Sequence, residues 1–280
     1  MTVGVLGPGA IGAALAVPLA LDGSRVICIA RAQTAAAIER DGLTLVKQGE
    51  ELYTNPVATG TLREPVDLLV ISVKAPGLDD ALDRIEAQAA TVLPLLNGLE
   101  HLDAIRSRLG GHVVAGTIGL IEAYRETPNR VVQTTPGPVI TASEPVDLTL
   151  FEVRVVPDAT LLWDKVARMA PLAAATAITQ RPVGELRADP EWRSRLESAI
   201  DEACAVAKAD GVSLDPAAQW DLIDSLAPTV TTSAARDVAA GRPSELDAIT
   251  GSVVRAARRL NVATPALDEL WEEACRLQLP

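Results

Sequence analysis

Through its first half the chain alternates short apolar runs, at residues 3–6, 25–30, 67–73, 91–96 and 112–118, with longer amphipathic stretches. That alternation predicts βαβ units on a parallel sheet, because strands covered on both faces read as continuous apolar runs while the crossover helices keep one polar face. Shorter β-like pieces follow at 130–134, 138–141 and 151–156, separated by Pro and Gly. From about Ala159 the apolar positions recur at the helical period. Asp189 is placed to cap a helix with Pro190 in its first turn, Trp192, Leu196, Ile200, Ala203 and Ala207 on one face, and Gly211 as its stop. Leu246, Ile249, Val253, Ala257 and Leu260 repeat at three and four, and a last helix opening at Thr264-Pro265 turns Leu267, Leu270, Trp271 and Ala274 inward. The seam falls near residue 157. The pattern predicts a Rossmann-type α/β domain with a mostly parallel sheet over 1–156, followed by an all-α domain over 157–280.

Composition narrows the partners. A formal net charge of -12 argues against nucleic acid and anionic membranes, since surfaces that neutralise phosphates carry clustered Lys and Arg. Cys28, Cys204 and Cys275 are odd in number, far apart and inside apolar runs, which reads as thiols of a reducing compartment and not as a disulfide frame or a metal site. The N-terminus enters a strand-like run without a signal-peptide pattern and no apolar stretch is long enough to span a bilayer, so a cytoplasmic protein is expected.

The first strand runs into Gly7-Pro8-Gly9-Ala10-Ile11-Gly12, a GxGxxG that opens an apolar helix. Such a segment can serve as a tight turn alone. Between a strand and a helix it is the dinucleotide fingerprint: the first glycine turns the chain, the second admits the pyrophosphate, the third lets helix and strand pack, and the helix start meets the phosphates. An NAD site usually carries Asp or Glu at the end of the second strand to accept from the ribose 2'-hydroxyl. Here that place reads Ile29-Ala30-Arg31, and a guanidinium suits the 2'-phosphate of NADPH.

Further motifs follow in order. Val73-Lys74-Ala75 ends a predicted strand, Asn97-Gly98 ends another, and Trp163-Asp164-Lys165-Val166, Gly184-Glu185-Leu186, the segment from Ser233 to Asp237 and Ser244-Glu245-Leu246-Asp247-Ala248-Ile249 with Gly251 lie in the helical half. Together with the fingerprint and Arg31, these resemble the VKA, QNG, WxKL, GEL, SSMxxD and TEIDxIxG segments of the ketopantoate reductases, colinear over nearly the whole chain. The resemblance implies a C-terminal domain like that of 6-phosphogluconate dehydrogenase and an NADPH-dependent reduction of a 2-oxo acid such as ketopantoate, a step of pantothenate biosynthesis. It implies Lys165 as general acid, Asn97 between cofactor and substrate, Lys74 beside Arg31 near the adenosine phosphate, Ser233 on the substrate carboxylate, and Glu245 accepting from a substrate or cofactor hydroxyl. Helical domains of this kind often dimerise in related enzymes, which leaves a homodimer open by analogy. The chemistry is coherent in itself: hydride arriving at a carbonyl carbon leaves charge on oxygen, and a lysine both stabilises that charge and delivers a proton. Each residue also has a plain role. Lys165 fits the solvated face of an amphipathic helix, and Glu245 fits a helix first turn.

The chain departs from the family where amides are expected to orient a polar substrate: those places read Met169, Ala173 and Val183. They predict a more apolar substrate pocket. Pro171 predicts a kink or a break in the helix that carries them. Two other functions therefore stand beside ketopantoate reduction. One is reduction of a more apolar keto or imino acid, and the other is a non-catalytic NADPH-binding sensor or interaction protein.

Overall fold

Val3, Val5 and Leu6 are buried in β1 (Thr2–Leu6), which lies in the middle of a parallel sheet and is covered on both faces. α1 (Ala10–Leu21) returns the chain to β2 (Arg25–Ile29), and α2 (Ala32–Asp41) follows. A hairpin of β3 (Leu43–Lys47) and β4 (Glu50–Thr54) then interrupts the alternation before β5 (Val57–Thr59) and β6 (Val66–Ile71) rejoin the sheet. α3 (Leu78–Leu82), β7 (Ala89–Pro94), α4 (His101–Arg108) and β8 (His112–Val113) complete it. The computed structural model describes residues 1–119 and 121–277. Among them the main sheet has the order β5-β2-β1-β6-β7-β8 with every adjacent pair parallel. Counting only its own strands, this is the doubly wound Rossmann order 3-2-1-4-5-6, whose switch point lies between β1 and β6.

Two smaller sheets belong to the same unit. β10 (Ala123–Thr127) and β11 (Arg130–Gln133) join the β3-β4 hairpin in the order β10-β11-β3-β4, and β9 (Gly116–Gly119), β12 (Val139–Ala142) and β13 (Glu152–Val155) form the order β13-β12-β9. The single strand expected over 112–118 is therefore two strands in two sheets. The chain leaves β8 and crosses the end of β7 at Gly116, where a Cβ would stand 2.6 Å from Leu93 Cδ1 and 2.8 Å from the Pro94 carbonyl oxygen. Only a residue without a side chain passes there.

The helical half contains α5 (Asp158–Thr179), α6 (Val183–Ala188), α7 (Pro190–Ala209), α8 (Pro216–Asp224), α9 (Ser233–Ala239), α10 (Ser252–Leu260) and α11 (Pro265–Arg276). Asp189 caps α7 as expected, accepting from the amides of Glu191 and Trp192 at 3.1 and 3.4 Å, and Gly211 beyond its end takes φ +92°. Leu196, Ile200, Ala203 and Ala207 are buried in one core with Val253, Ala257, Leu267 and Leu270. Of the kink or break expected at Pro171, the break does not occur, since α5 runs through it. A proline inside a helix costs about 3 kcal/mol. Ala170, Ala173, Ala174 and Ala175 around it are sealed in the core.

Contacts divide the chain into one unit of Met1–Leu96 with His101–Leu161 and another of Asn97–Glu100 with Leu162–Pro280. The short segment after β7 thus clusters with the helices. Among the described residues no helix is long and apolar enough to cross a membrane.

Candidate active site

In the first unit the glycines of the fingerprint divide the labour that their spacing suggests. Gly7 has φ +87°, and a Cβ on it would meet Val73 Cγ1 at 2.5 Å. Gly12 faces the returning chain, where a Cβ would lie 2.3 Å from the Gly7 carbonyl oxygen and 2.6 Å from Ser72 Oγ. Ser72 Oγ itself donates to that carbonyl at 2.9 Å and so ties the end of β6 to the turn. Gly9 has nothing within 4 Å of an added Cβ. Its open side is where a phosphate can approach the backbone. Gly9 is the N-cap of α1 with no side-chain cap and no acidic residue in the first turn, so Ala10, Ile11 and Gly12 begin the helix with its positive dipole end unopposed by carboxylates. Pro8 is buried within this turn.

Arg31 and Lys74 flank the turn from the two neighbouring strands. Arg31 is the N-cap of α2, just beyond the C-terminal end of β2, and Lys74 lies just beyond β6. Both are exposed. A Cβ on Gly77 would lie 3.7 Å from Arg31 Nη2, so the guanidinium reaches over the segment that follows Lys74. Two cations at strand ends on either side of a glycine turn fit a dinucleotide that carries an extra phosphate.

The second unit brings together Lys165, Asn97 and Glu245. Lys165 lies on α5 and is half-buried; Glu245 is only 7% exposed and stands at the entrance to a π-helical turn, Asp247–Gly251, that leads into α10. Asn97 donates through Nδ2 to Glu245 Oε2 at 3.2 Å, across 148 residues of sequence. A buried carboxylate needs such partners, because an unpaired one is strongly destabilising. Burial lowers the pKa of Lys165 to about 8, opposed by the Glu245 carboxylate and assisted by the Arg168 guanidinium. Arg168 is fixed in turn by Asp164 Oδ2 at 3.2 Å and Gln219 Oε1 at 3.1 Å, and Gln219 Nε2 donates to Asp164 Oδ1 at 2.9 Å. Trp163 anchors the same turn of α5 through Nε1 to Asp210 Oδ2 at 2.9 Å. Arg168 escaped the sequence reading, although its place three residues beyond Lys165 was a signal that the two share a helix face.

The loop that carries Asn97 is set by Gly98. This residue has φ +96°, and a Cβ on it would lie 2.0 Å from the Ala248 carbonyl oxygen in the π-helical turn. The glycine therefore lets the loop lie against the backbone just beyond Glu245.

Other expectations need correction. Ala173 and Val183 have no accessible surface and belong to the core of the helical unit, so they do not line an apolar pocket. Val183 is held by its amide to the Val230 carbonyl at 2.9 Å, and Gly184 packs where a Cβ would lie 2.6 Å from Pro228. Met169 is half-buried against the same core. Ser233 is exposed as the first residue of α9, while its neighbour Thr232 caps that helix through Ala235 N and meets Thr176 Oγ1 at 2.8 Å. Among the described residues no three His, Cys, Asp or Glu side chains are grouped to hold a metal ion.

Two family models match the chain. One, described as ketopantoate reductase PanE/ApbA, covers residues 3–144, and the other, its C-terminal counterpart, covers residues 159–278. A 2-dehydropantoate 2-reductase of Caulobacter vibrioides is 30% identical over 287 residues, 95% of either chain. The crystal structure of a PanE/ApbA family ketopantoate reductase from Ralstonia eutropha superposes with a TM-score of 0.86 at 28% identity, covering 99% of this chain and 98% of that one. A D-mandelate dehydrogenase solved with NADH and anilino(oxo)acetate shares the fold, with a TM-score of 0.91 at 20% identity over 99% of this chain and 98% of its own.

Proposed function

Since this chain belongs to the ketopantoate reductase family, we propose that it reduces a small 2-oxo acid to the 2-hydroxy acid with NADPH. The observation that carries this reading is Lys165, a half-buried lysine of lowered pKa in the same unit as a buried Glu245 carboxylate that a half-buried Asn97 holds. A solvated surface lysine has no need of such surroundings. The reading assigns the dinucleotide to Gly7, Pro8, Gly9, Ala10, Ile11 and Gly12 with Arg31 and Lys74, and it assigns proton delivery to Lys165. When bound, the reduced nicotinamide supplies the hydride. As charge develops on the substrate oxygen, the Lys165 ammonium stabilises it and then gives up a proton, leaving a neutral amine. The Glu245 carboxylate favours the charged form of Lys165 and accepts from a hydroxyl, while Asn97 keeps that carboxylate oriented. Ser233 remains the proposed partner of the substrate carboxylate. Because Met169 replaces an amide and Ala173 and Val183 are sealed, a distal substrate hydroxyl meets no side-chain amide at these three places. A 2-oxo acid without that hydroxyl is accordingly the second reading of the substrate.

The test of the reaction is isotopic. With NADPH deuterated at the transferable position of C4, deuterium is expected at C2 of the 2-hydroxy acid product. NADPH consumption without labelled hydroxy acid would exclude direct reduction of the carbonyl.

The pH dependence follows in sign from Lys165. Its folded pKa is lowered to about 8, and reduction requires the protonated form. kcat for reduction is expected to be flat below that value and to fall about tenfold per pH unit above it. Oxidation of the hydroxy acid requires the neutral amine and should rise over the same range. Profiles of both directions between pH 6 and 10, taken where substrate is saturating, check this; parallel limbs would remove Lys165 from the proton transfer.

Cofactor choice is tested at Arg31. Charge-assisted hydrogen bonds contribute about 1.5–3 kcal/mol, so Arg31→Ala is expected to weaken NADPH roughly 10- to 100-fold while leaving NADH nearly unchanged. Calorimetric titration of both cofactors reads the difference, and equal losses for the two would contradict the assignment.

A further inference from the structure

The Asn97–Glu245 pair joins two pieces of chain that neither a strand nor a regular α-helix holds in register. Asn97 sits in the loop after β7, and Glu245 precedes the π-helical turn. A single side chain from α10 holds both pieces. Arg255 donates from Nε and Nη2 to the two carboxylate oxygens of Glu100, at 2.9 and 2.7 Å. The same guanidinium donates from Nη1 to Asp247 Oδ1 at 2.7 Å and from Nη2 to the Asp247 carbonyl at 3.1 Å. Glu100 lies three residues beyond Asn97, and Asp247 two beyond Glu245. Space for this bridge is provided by Gly251, where a Cβ would stand 2.9 Å from Asp247 Oδ1 and 3.0 Å from Arg255 Nη1.

We propose that Arg255 is a positioning residue that fixes the Asn97–Glu245 pair by clamping Glu100 and Asp247 to one guanidinium. The proposal rests on the reading of Lys165, Asn97 and Glu245 as the reducing site. Arg255 touches no reacting atom in this scheme. Its planar fork spans two carboxylates at once, which an ammonium cannot do. Partly exposed ion pairs contribute little to global stability, so a merely structural role predicts nearly unchanged turnover when the bridge is cut. A clamp predicts something else: displacing a catalytic group by about 1 Å costs up to roughly 100-fold in rate.

The experiment compares Arg255→Ala, Arg255→Lys and Glu100→Gln with Arg258→Ala, a control on the same helix whose partner is Asp268. Glu100→Gln cuts only the link to the Asn97 loop and leaves Arg255 with Asp247, so it serves if Arg255→Ala fails to fold. Two quantities are read in the full chain: kcat and KM with NADPH and a 2-oxo acid, and the pH midpoint for labelling of Lys165 by trace acetic anhydride, followed by mass spectrometry. Arg255→Ala and Glu100→Gln are expected to lower kcat roughly 10- to 100-fold with a smaller change in KM. The Lys165 midpoint should fall below the wild-type value, because a loosened Glu245 no longer favours the ammonium. Arg255→Lys should recover only part of the loss, and Arg258→Ala should match wild type. Wild-type kcat and midpoint in both Arg255→Ala and Glu100→Gln would overturn the clamp. Should the wild-type protein reduce no 2-oxo acid, the functional reading fails by itself, and the Lys165 midpoint alone then decides: lowered in the variants it upholds the clamp, unchanged it overturns it.

Discussion

Lys165→Met is expected to lower kcat for 2-oxo acid reduction roughly 100- to 10,000-fold, the range ordinarily lost when a general acid is removed. Methionine keeps the length and the apolar stem of the side chain and deletes the charge and the transferable proton. Binding of NADPH should be unaffected within about twofold, because the lysine acts on charge that exists only in the transition state. Lys165→Arg separates the two roles. A guanidinium retains the charge but does not release a proton near neutral pH, so its rate should fall between those of wild type and Lys165→Met. Single-turnover rates with saturating NADPH check both variants. If Lys165→Met retains most of the wild-type rate, the lysine is a helix-face residue and the proton comes from elsewhere.

Gly98→Ala is expected to cost nearly as much in turnover without touching a titratable group. Alanine is strained at φ +96°, by about 1–3 kcal/mol, and its Cβ would fall 2.0 Å from the Ala248 carbonyl oxygen, which belongs to the backbone and cannot swing aside. The loop must move away from the π-helical turn and carry Asn97 away from Glu245. kcat should drop roughly 100-fold, with a loss of a few degrees in Tm. Gly23→Ala is the matched control: its φ is +92°, yet nothing lies within 4 Å of the new Cβ. It should show comparable backbone strain and wild-type turnover. Equal turnover in the two variants would mean that contact with Ala248 does not hold Asn97 in place.

How much of this was legible in the chain differs from element to element. The parallel strands announce themselves because burial on both faces demands unbroken apolar runs, as in β1 and β6. The β3-β4 hairpin is silent by the same criterion, since β4 is half-exposed and begins with Glu50 and Glu51. Its one signal is the turn Gln48-Gly49, both at positive φ, which is what a tight hairpin requires. The turn at Gly7 and the close packing at Gly12 could be read from spacing alone, and Asp189 could be placed as a cap. The approach of Asn97 to Glu245 could not be read from spacing, because it depends on a loop after β7 that clusters with the helices. Arg255 was equally hidden, since Glu100 reaches it through the loop after β7 and Asp247 through the π-helical turn. Ala173 and Val183 show a different limit. Replacing an amide by an apolar residue leaves open whether the position faces a pocket or joins the core, and only packing decides; here both residues lie in the core.

The most direct measurement is NADPH oxidation followed optically with a panel of 2-oxo acids that includes ketopantoate and its analogues without the distal hydroxyl. Saturable oxidation with at least one 2-oxo acid is expected, slower with NADH than with NADPH, and abolished in Lys165→Met. Tight binding of NADPH with no oxidation by any acid of the panel would contradict the assignment and leave a dinucleotide-binding protein without reductase activity.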